Sequence, residues 1–145
     1  ATGSRKMSRI LGIDVGEARI GLALSDELRM LAHPLETVRV RDGQPVDHVA
    51  ELIRREKIET VVIGLPRNMN GTYGPAAEKV KAFAAKLQER VPGCTIRFWD
   101  ERLSTVAAQR SLHAAGRNTK QSREVIDQVA AQIILQAYLD SIALP

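Results

Sequence analysis

Three acidic residues stand where the ends of predicted elements could bring their carboxylates together. Asp14 closes an apolar, β-prone run, where an ionised group is costly unless a cation or hydrogen bonds compensate it. Glu101 follows a second strand-like run, and Asp127 lies near the start of an amphipathic stretch. Carboxylates from separate elements can hold two divalent ions about 4 Å apart, an arrangement that cuts phosphodiesters. We therefore interpret Asp14, Glu101 and Asp127 as candidate catalytic and metal-binding residues.

Each of these acids also has an ordinary structural explanation. Asp14 could serve only to bond the backbone amides of the turn that follows it. Asp100 and Glu101 could be solvated or could contact Arg102, and only one of the two adjacent acids is expected to reach a shared site. Asp127 could simply favour the positive end of its helix. The placement of all three at strand ends and a helix start favours the chemical interpretation.

Hydrophobic patterning predicts the elements that position these acids. Alternating and continuous apolar runs predict five strands, and a spacing of three to four residues predicts the helices. The predicted strands are residues 9–14, 19–26, 34–40, 60–64 and 95–99, and the predicted helices are residues 45–58, 76–90, 104–115 and a last helix capped by Ser122. A hairpin followed by βα units predicts an α/β fold with a mixed five-stranded sheet and helices on both faces.

The length and composition limit the class of protein. A chain of 145 residues with 44% hydrophobic side chains suits one domain, which we expect to span residues 7–145, with residues 1–6 an expression-tag remnant. Aromatic residues make up only 3% of the chain, too few for a platform that stacks single-stranded bases. Cys94 is the only cysteine, so an internal disulfide is excluded. The sequence contains neither an apolar run of about 18 residues nor a leader, which predicts a cytoplasmic protein without a membrane partner.

The charge of the chain favours a polyanionic partner. Its formal net charge is +4 at pH 7, and basic residues gather near a polar loop predicted at residues 116–121. A second loop, residues 68–74, leads into a helix start, where backbone amides bind phosphate readily. A solvated basic face is the ordinary alternative. The candidate nucleic-acid-binding residues are Arg67, Asn68, Arg102, Arg117, Lys120 and Arg123.

Four sequence blocks, in order, resemble the YqgF/RuvX family, relatives of the RuvC Holliday junction resolvases with an RNase H-like fold. The blocks are Gly12-Ile13-Asp14-Val15-Gly16 with Arg19-Ile20-Gly21-Leu22-Ala23, Val62-Ile63-Gly64-Leu65-Pro66 with Asn68-Met69-Asn70-Gly71, Asp100-Glu101-Arg102-Leu103-Ser104-Thr105, and Asp127-Gln128-Val129-Ala130-Ala131. The resemblance covers essentially all of residues 7–144. One departure is Asn70, where the family often carries Asp, and this argues against a metal role at that position.

The resemblance implies a metal-dependent endonuclease with an RNase H-like fold. It implies that Asp14, Glu101 and Asp127 are the catalytic acids, holding Mg²⁺ or Mn²⁺. The implied substrate is structured nucleic acid, either the 5′ end of precursor 16S ribosomal RNA or a Holliday junction. Symmetric cutting of a junction needs two active sites, so a homodimer on the substrate is the expected assembly.

Two other functions remain open at the level of the sequence. One is a non-catalytic RNA-binding or ribosome-assembly module that keeps the fold and the basic surface. The other is a nucleotide-binding protein, because the opening block also resembles the phosphate loop of actin-like sugar kinases and ATPases. The length argues against the latter, since those proteins close two related lobes around ATP and this chain supplies one.

Overall fold

The computed structural model describes residues 8–68, 70–103 and 120–143. Short 3₁₀ turns follow the third and fifth strands, at Val40–Asp42 and Glu101–Leu103. The strands are β1 (Ile10–Val15), β2 (Arg19–Ser25), β3 (Ala32–Arg39), β4 (Thr60–Leu65) and β5 (Thr95–Asp100), and the helices are α1 (Pro45–Glu56), α2 (Pro75–Arg90) and α3 (Lys120–Ala143). The helix predicted at residues 104–115 lies outside the described residues.

The five strands form one mixed sheet in the order β3-β2-β1-β4-β5. β2 pairs antiparallel with β1 and β3, whereas β4 pairs parallel with β1 and β5. Ile13, Ile63 and Phe98 lie in register across the three parallel strands. The carboxyl ends of these strands therefore meet at one edge of the sheet, where Asp14 and Asp100 are found. This sheet confirms the predicted one.

Helices cover both faces of the sheet, as alternation along the strands requires. On one face, Leu11 and Ile13 of β1 pack in a cluster with residues of α1 and α2. On the other face, Ile10 and Val62 pack against α3. The run of β4 from Val61 to Leu65 is buried throughout, because the strand is covered on both sides. The continuous apolar run in the sequence predicted this central position.

The helix boundaries follow local chemistry. Pro45 and Pro75 occupy the first turns of α1 and α2, where a missing amide hydrogen costs no bond. Asp47 lies in the first turn of α1, and Lys57 ends the helix in the left-handed conformation with φ of 55°. These helices begin and end close to the positions that charge and proline placement predicted.

The boundaries of β3 and α3 differ from the predicted ones. β3 begins at Ala32 rather than residue 34, because Ala32 and His33 continue the ladder with β2. Two glutamines of α3 also bind Ala32: its amide donates to Gln136 Oε1 at 2.8 Å, and Gln132 Nε2 donates to its carbonyl at 3.0 Å. The strand also ends one residue early, because Val40 enters a 3₁₀ turn. The described part of α3 begins at Lys120, so Ser122 lies inside the helix instead of capping it. The predicted loop 116–121 therefore loses its last two residues to the helix.

Cys94 is buried and free, as a small apolar residue would be. Burial raises the pKa of its thiol, which keeps the sulfur protonated and unreactive at neutral pH. Among residues 8–68, 70–103 and 120–143, no helix combines the length and apolarity needed to cross a bilayer.

Candidate active site

Three glycines form the sheet surface beneath α3, which we call the glycine floor: Gly12, Gly21 and Gly64. A Cβ atom at Gly12 would lie 2.7 Å from Leu135 Cβ, and one at Gly21 would collide with the backbone oxygen of Asp127. Real Cβ atoms essentially never approach so closely, so only glycine fits at these positions. The glycine floor therefore lets α3 lie against the sheet and sets how near its side chains come to β1.

Asp14 lies on the face of β1 that α3 covers, because it stands two residues beyond Gly12. Its partner across the β1–β2 ladder is Gly21. The residue is only 3% exposed, the burial that its apolar sequence context predicted. A carboxylate in such a position must be compensated by hydrogen bonds or a cation.

Glu101 begins the 3₁₀ turn that follows β5. Its Oε1 atom lies 2.9 Å from the position that a Cβ on Gly64 would occupy. The side chain therefore reaches back over the end of β4, toward the strand that carries Asp14. A larger residue in place of Gly64 would push this carboxylate away.

Asp127 lies in α3 above Gly21, the partner of Asp14. Its Oδ2 atom accepts a hydrogen bond of 2.6 Å from Arg19 Nε, and the two side chains are 15% and 29% exposed. Because Asp127 is the eighth residue of the described helix, it lies beyond the first turn, and an interaction with the helix N-terminus does not account for it. The small residues Ala130 and Ala131 that follow are buried, as predicted for a close approach.

The donor set has the right chemistry for a divalent metal, since Mg²⁺ and Mn²⁺ prefer carboxylate oxygens. In the part of the chain that the structure describes, however, no three His, Cys, Asp or Glu side chains are grouped to hold one ion. Arg19 is the cation that neutralises Asp127. A metal ion bound through Asp127 Oδ2 would therefore compete with Arg19 for that oxygen.

Asp100, the neighbour of Glu101, is bound by two arginines. Arg102 Nη2 lies 2.8 Å from Asp100 Oδ2, and Arg67 Nη1 lies 3.3 Å from the same oxygen. Hydrogen bonds from Arg102 lower the pKa of Asp100 to about 2, with a smaller contribution from Arg67. The two adjacent acids thus lie in different places: Glu101 lies over Gly64, and Asp100 binds the arginines.

The loop after β4 is held by its own polar groups. Asn70 Oδ1 accepts hydrogen bonds from the amide and the hydroxyl of Thr72, at 3.0 and 2.6 Å. The Asn68 amide donates to the Thr72 carbonyl, and Gly71 adopts a φ of 87°, which favours glycine. Asn70 therefore has a turn-forming role.

Only part of the predicted nucleic-acid surface can be located. Arg67, Asn68 and Arg102 lie together at the end of β4 and just after β5. Arg117 lies outside the described residues, as do the side chains of Lys120 and Arg123.

Sequence reasoning missed two contributors to this region. Arg19 was not singled out, although it stands in the first block that resembles the RuvX family, five residues after Asp14. Tyr73 was not singled out either, yet Arg67 Cζ and Lys81 Nζ lie 4.6 and 4.4 Å from the centre of its ring. A basic residue close in sequence to a candidate acid is a signal that could have found Arg19. No local pattern indicates the Tyr73 contacts.

A surface cavity of about 330 Å³ lies elsewhere, between β3 and the start of α1. None of the candidate acids lines it. Its lining residues are Glu36, Thr37, Val38, Arg39, Gly43, Gln44, Pro45 and His48.

The chain is similar to known proteins along most of its length. A sequence model of the RuvX family, described as Holliday junction resolvase, matches residues 8–141. A protein from Moorella thermoacetica is 53% identical over 133 residues, which cover 91% of this chain and 94% of that protein. One from Halalkalibacterium halodurans is 47% identical over 135 residues, which cover 91% and 96%. Both carry the name "Putative pre-16S rRNA nuclease".

Solved structures show the same fold. RuvC of T. thermophilus, in complex with a Holliday junction substrate, superposes with a TM-score of 0.57 at 18% identity, covering 94% of this chain and 96% of that one. A second structure of Thermus thermophilus RuvC gives a TM-score of 0.54 at 15% identity, covering 93% and 96%. Together with the mixed sheet, these similarities confirm the expected RNase H-like architecture.

Proposed function

Because the chain belongs to the RuvX family of Holliday junction resolvases, we propose that it is a divalent-metal-dependent endonuclease that hydrolyses phosphodiester bonds in structured nucleic acid. The family and the names of the curated relatives support the nuclease activity. The observation that carries the catalytic assignment is the glycine floor. Over it, residues from β1, from α3 and from the turn after β5 bring three carboxylates toward one edge of the sheet.

In this proposal Asp14, Glu101 and Asp127 would hold one or two Mg²⁺ or Mn²⁺ ions, which would supply an activated water and stabilise the leaving oxygen. Asp14 offers the most rigid ligand, because β1 is paired on both sides and the residue is almost fully buried. Glu101 depends on the open space above Gly64, and Asp127 on the position of α3.

Two substrates are candidates. The curated relatives are named for pre-16S ribosomal RNA, whereas the family description names the Holliday junction. Both substrates are polyanions with irregular backbones, which suits a chain with a net charge of +4. Purified protein should be assayed on a precursor 16S rRNA fragment and a four-way DNA junction side by side.

We also propose that Arg67, Asn68 and Arg102, with Arg117, Lys120 and Arg123, contact backbone phosphates. Arg67 and Arg102 both bind Asp100, the residue directly before Glu101, so they border the candidate catalytic edge. Phosphate contacts of this kind position a substrate without reading its sequence.

Asp14→Asn is the decisive variant for catalysis, because it removes one charge from the site without changing side-chain volume. Loss of an outer-shell partner costs a metal site roughly 10- to 100-fold, and loss of a direct ligand should cost more. We expect cleavage to disappear while thermal unfolding and substrate binding stay close to the wild type. Asp140→Asn, on the exposed end of α3, is the matched control. Wild-type cleavage by Asp14→Asn would contradict the mechanism.

Metal substitution provides the second arm of the same experiment. Mg²⁺ or Mn²⁺ should support turnover, whereas Ca²⁺ should support binding with little cutting, because its larger and looser coordination shell positions water poorly. Full activity in the presence of a chelator would refute metal dependence. Binding without cleavage under every condition would indicate a non-catalytic RNA-binding module.

A further inference from the structure

A group of charged side chains surrounds Tyr73 beside the candidate catalytic edge. Its members come from three segments: the loop after β4, α2, and the end of β5 with its 3₁₀ turn. We call it the Tyr73 cluster, and it consists of Arg67, Tyr73, Lys81, Asp100 and Arg102.

The ring of Tyr73 draws two cations together. Arg67 Cζ lies 4.6 Å and Lys81 Nζ lies 4.4 Å from the ring centre. The electron-rich face of an aromatic ring attracts a cation by about 0.5–1 kcal/mol at an exposed site. Tyr73 is 44% exposed, so the two charges are held at the surface, where a ligand can reach them.

Asp100 holds the other part of the cluster. Arg102 Nη2 and Arg67 Nη1 both bind its carboxylate, at 2.8 and 3.3 Å from Oδ2. One carboxylate does not balance three cations: Arg67, Lys81 and Arg102 against Asp100 leave a formal excess of two positive charges.

The excess charge is fixed in position. Arg67 donates to the Gly71 carbonyl from Nε at 3.0 Å and from Nη2 at 2.5 Å. A Cβ placed on Gly71 would lie 3.7 Å from both Arg67 Nη2 and Arg102 Nη1, so these two nitrogens are no more than twice that distance apart. Side chains anchored in this way lose little entropy when they bind an anion.

The cluster adjoins the candidate catalytic carboxylates. Asp100 is followed by Glu101, whose carboxylate lies over Gly64 at the end of β4, and Arg67 lies three residues beyond Gly64. A strand whose reacting phosphate lies at the carboxylates would carry its neighbouring phosphates across this part of the surface.

We propose that the Tyr73 cluster is a binding site for a backbone phosphate next to the phosphodiester that is cut, with Lys81 and Tyr73 as members that determine its charge and shape. This inference rests on the proposed nuclease function and extends the phosphate contacts to α2. The ligand is a phosphodiester of the substrate backbone, because the cluster offers cationic N–H donors and excess positive charge. The site therefore contributes affinity independent of sequence.

The test measures the affinity for nucleic acid as a function of salt concentration. Every protein in the test carries Asp14→Asn, so that no substrate is cut. The probe is a fluorescent four-way DNA junction, with the precursor 16S rRNA fragment in parallel. Each lost phosphate contact should lower the slope of log affinity against log salt by about 0.9 on duplex DNA. For Lys81→Gln this corresponds to an affinity about eightfold weaker at 0.1 M salt and equal at 1 M.

Two further variants separate a phosphate site from general charge or simple loop packing. Lys86→Gln removes another exposed lysine from the same helix, outside the cluster, and should leave the slope unchanged from that of Asp14→Asn alone. Tyr73→Leu keeps every charge but removes the ring contacts of Arg67 and Lys81, so it should weaken binding with little change in slope. Thermal unfolding of each variant checks that the fold is intact.

The outcomes distinguish this inference from the proposed function. Equal slopes for Asp14→Asn alone, Lys81→Gln and Lys86→Gln would overturn the phosphate site while the wild type still cleaves. Failure of the wild type to cleave either substrate in Mg²⁺ or Mn²⁺ would overturn the proposed function. A lower slope for Lys81→Gln alone supports the site.

Discussion

Arg19 is the residue with the largest consequence for the candidate site, because it provides the positive charge beside Asp127. The pair joins residues 108 positions apart and is partly buried, so solvent screens it less than it screens a surface pair. The guanidinium and a metal ion would compete for the same carboxylate. We propose that Arg19 therefore stabilises the metal-free protein and competes with a metal ion at Asp127.

Arg19→Gln tests this competition. Leaving Asp127 without its cation should destabilise the metal-free protein by about 1–3 kcal/mol. The same variant should bind Mn²⁺ more tightly, because the ion no longer displaces a guanidinium. Denaturant unfolding with and without Mn²⁺ measures both effects.

The matched control for this variant is Arg90→Gln. Arg90 forms a 2.7 Å pair with Asp47 in which both side chains are about half exposed, at 51% and 52%. Its loss should change stability by less than about 1 kcal/mol. An Arg19→Gln protein that is as stable as the control, or that binds Mn²⁺ more weakly, would rule out the competition.

Asp100 makes the stability of the folded protein depend on pH in the acidic range. Its pKa falls from 3.8 to about 2 on folding, so its ion pairs stabilise the protein above about pH 4 and are lost as the pH falls toward 2. Asp100→Asn should therefore be less stable than the wild type at pH 5, and the difference should shrink by pH 2.5. Thermal unfolding at both pH values measures it, and a constant difference would contradict the assignment.

At the scale of elements, the contact between α3 and the sheet controls the geometry of the acids. α3 meets β1 and β2 through the glycine floor, so the height of the helix above the sheet depends on the absence of side chains. The three glycines differ in what lies above them. Gly21 faces backbone atoms of α3, whereas Gly64 faces the side-chain ends of Ile134 and Glu101.

Alanine substitutions should separate stability from activity on this floor. Gly21→Ala forces the whole helix to move and should cost about 1–3 kcal/mol or more. Gly64→Ala should cost less, because side chains can turn aside, but it displaces the Glu101 carboxylate and should lower cleavage more than stability. Unfolding and cleavage assays test both.

Gly93→Ala is the control for these substitutions, because nothing lies within 4 Å of a Cβ at that position. It should cleave like the wild type and unfold at a similar temperature. Should Gly64→Ala cleave like Gly93→Ala, the proposed role of Glu101 would be wrong.

At the scale of the whole molecule, one sheet edge provides one candidate active site per chain. Paired, symmetric cutting of a junction needs two sites that face opposite strands, which a homodimer supplies most simply. We propose that such a dimer forms on the substrate. In this proposal a single chain supplies one set of candidate carboxylates, enough for nicking, among the residues that the structure describes.

The expected outcome is nicking by any species that binds the junction and paired incision only where two chains are bound. Sedimentation of the Asp14→Asn protein with the junction gives the stoichiometry, and the wild-type products show whether incisions are paired. Coordinated double incision by a strictly monomeric complex would show that the dimer is unnecessary.

The sequence by itself determined the strands and helices that the structure describes, because burial imposes a period of two on strands and of about 3.6 on helices. It also singled out Asp14 as a candidate site residue, since an acid in an apolar run is costly without compensation, and the structure buries that residue. It did not predict that β3 begins at Ala32. Two glutamines of α3 bind Ala32, and these contacts join residues about a hundred positions apart.

Only the tertiary structure decided which side chains are partners. The pairing of Arg19 with Asp127, the gathering of Arg67 and Lys81 on Tyr73, and the space above Gly64 for Glu101 each join separate elements. No local spacing encodes these contacts, because they depend on the strand order and on the height of α3 above the sheet. Sequence periodicity determines which face a residue occupies, and the packing of distant elements determines what it meets there.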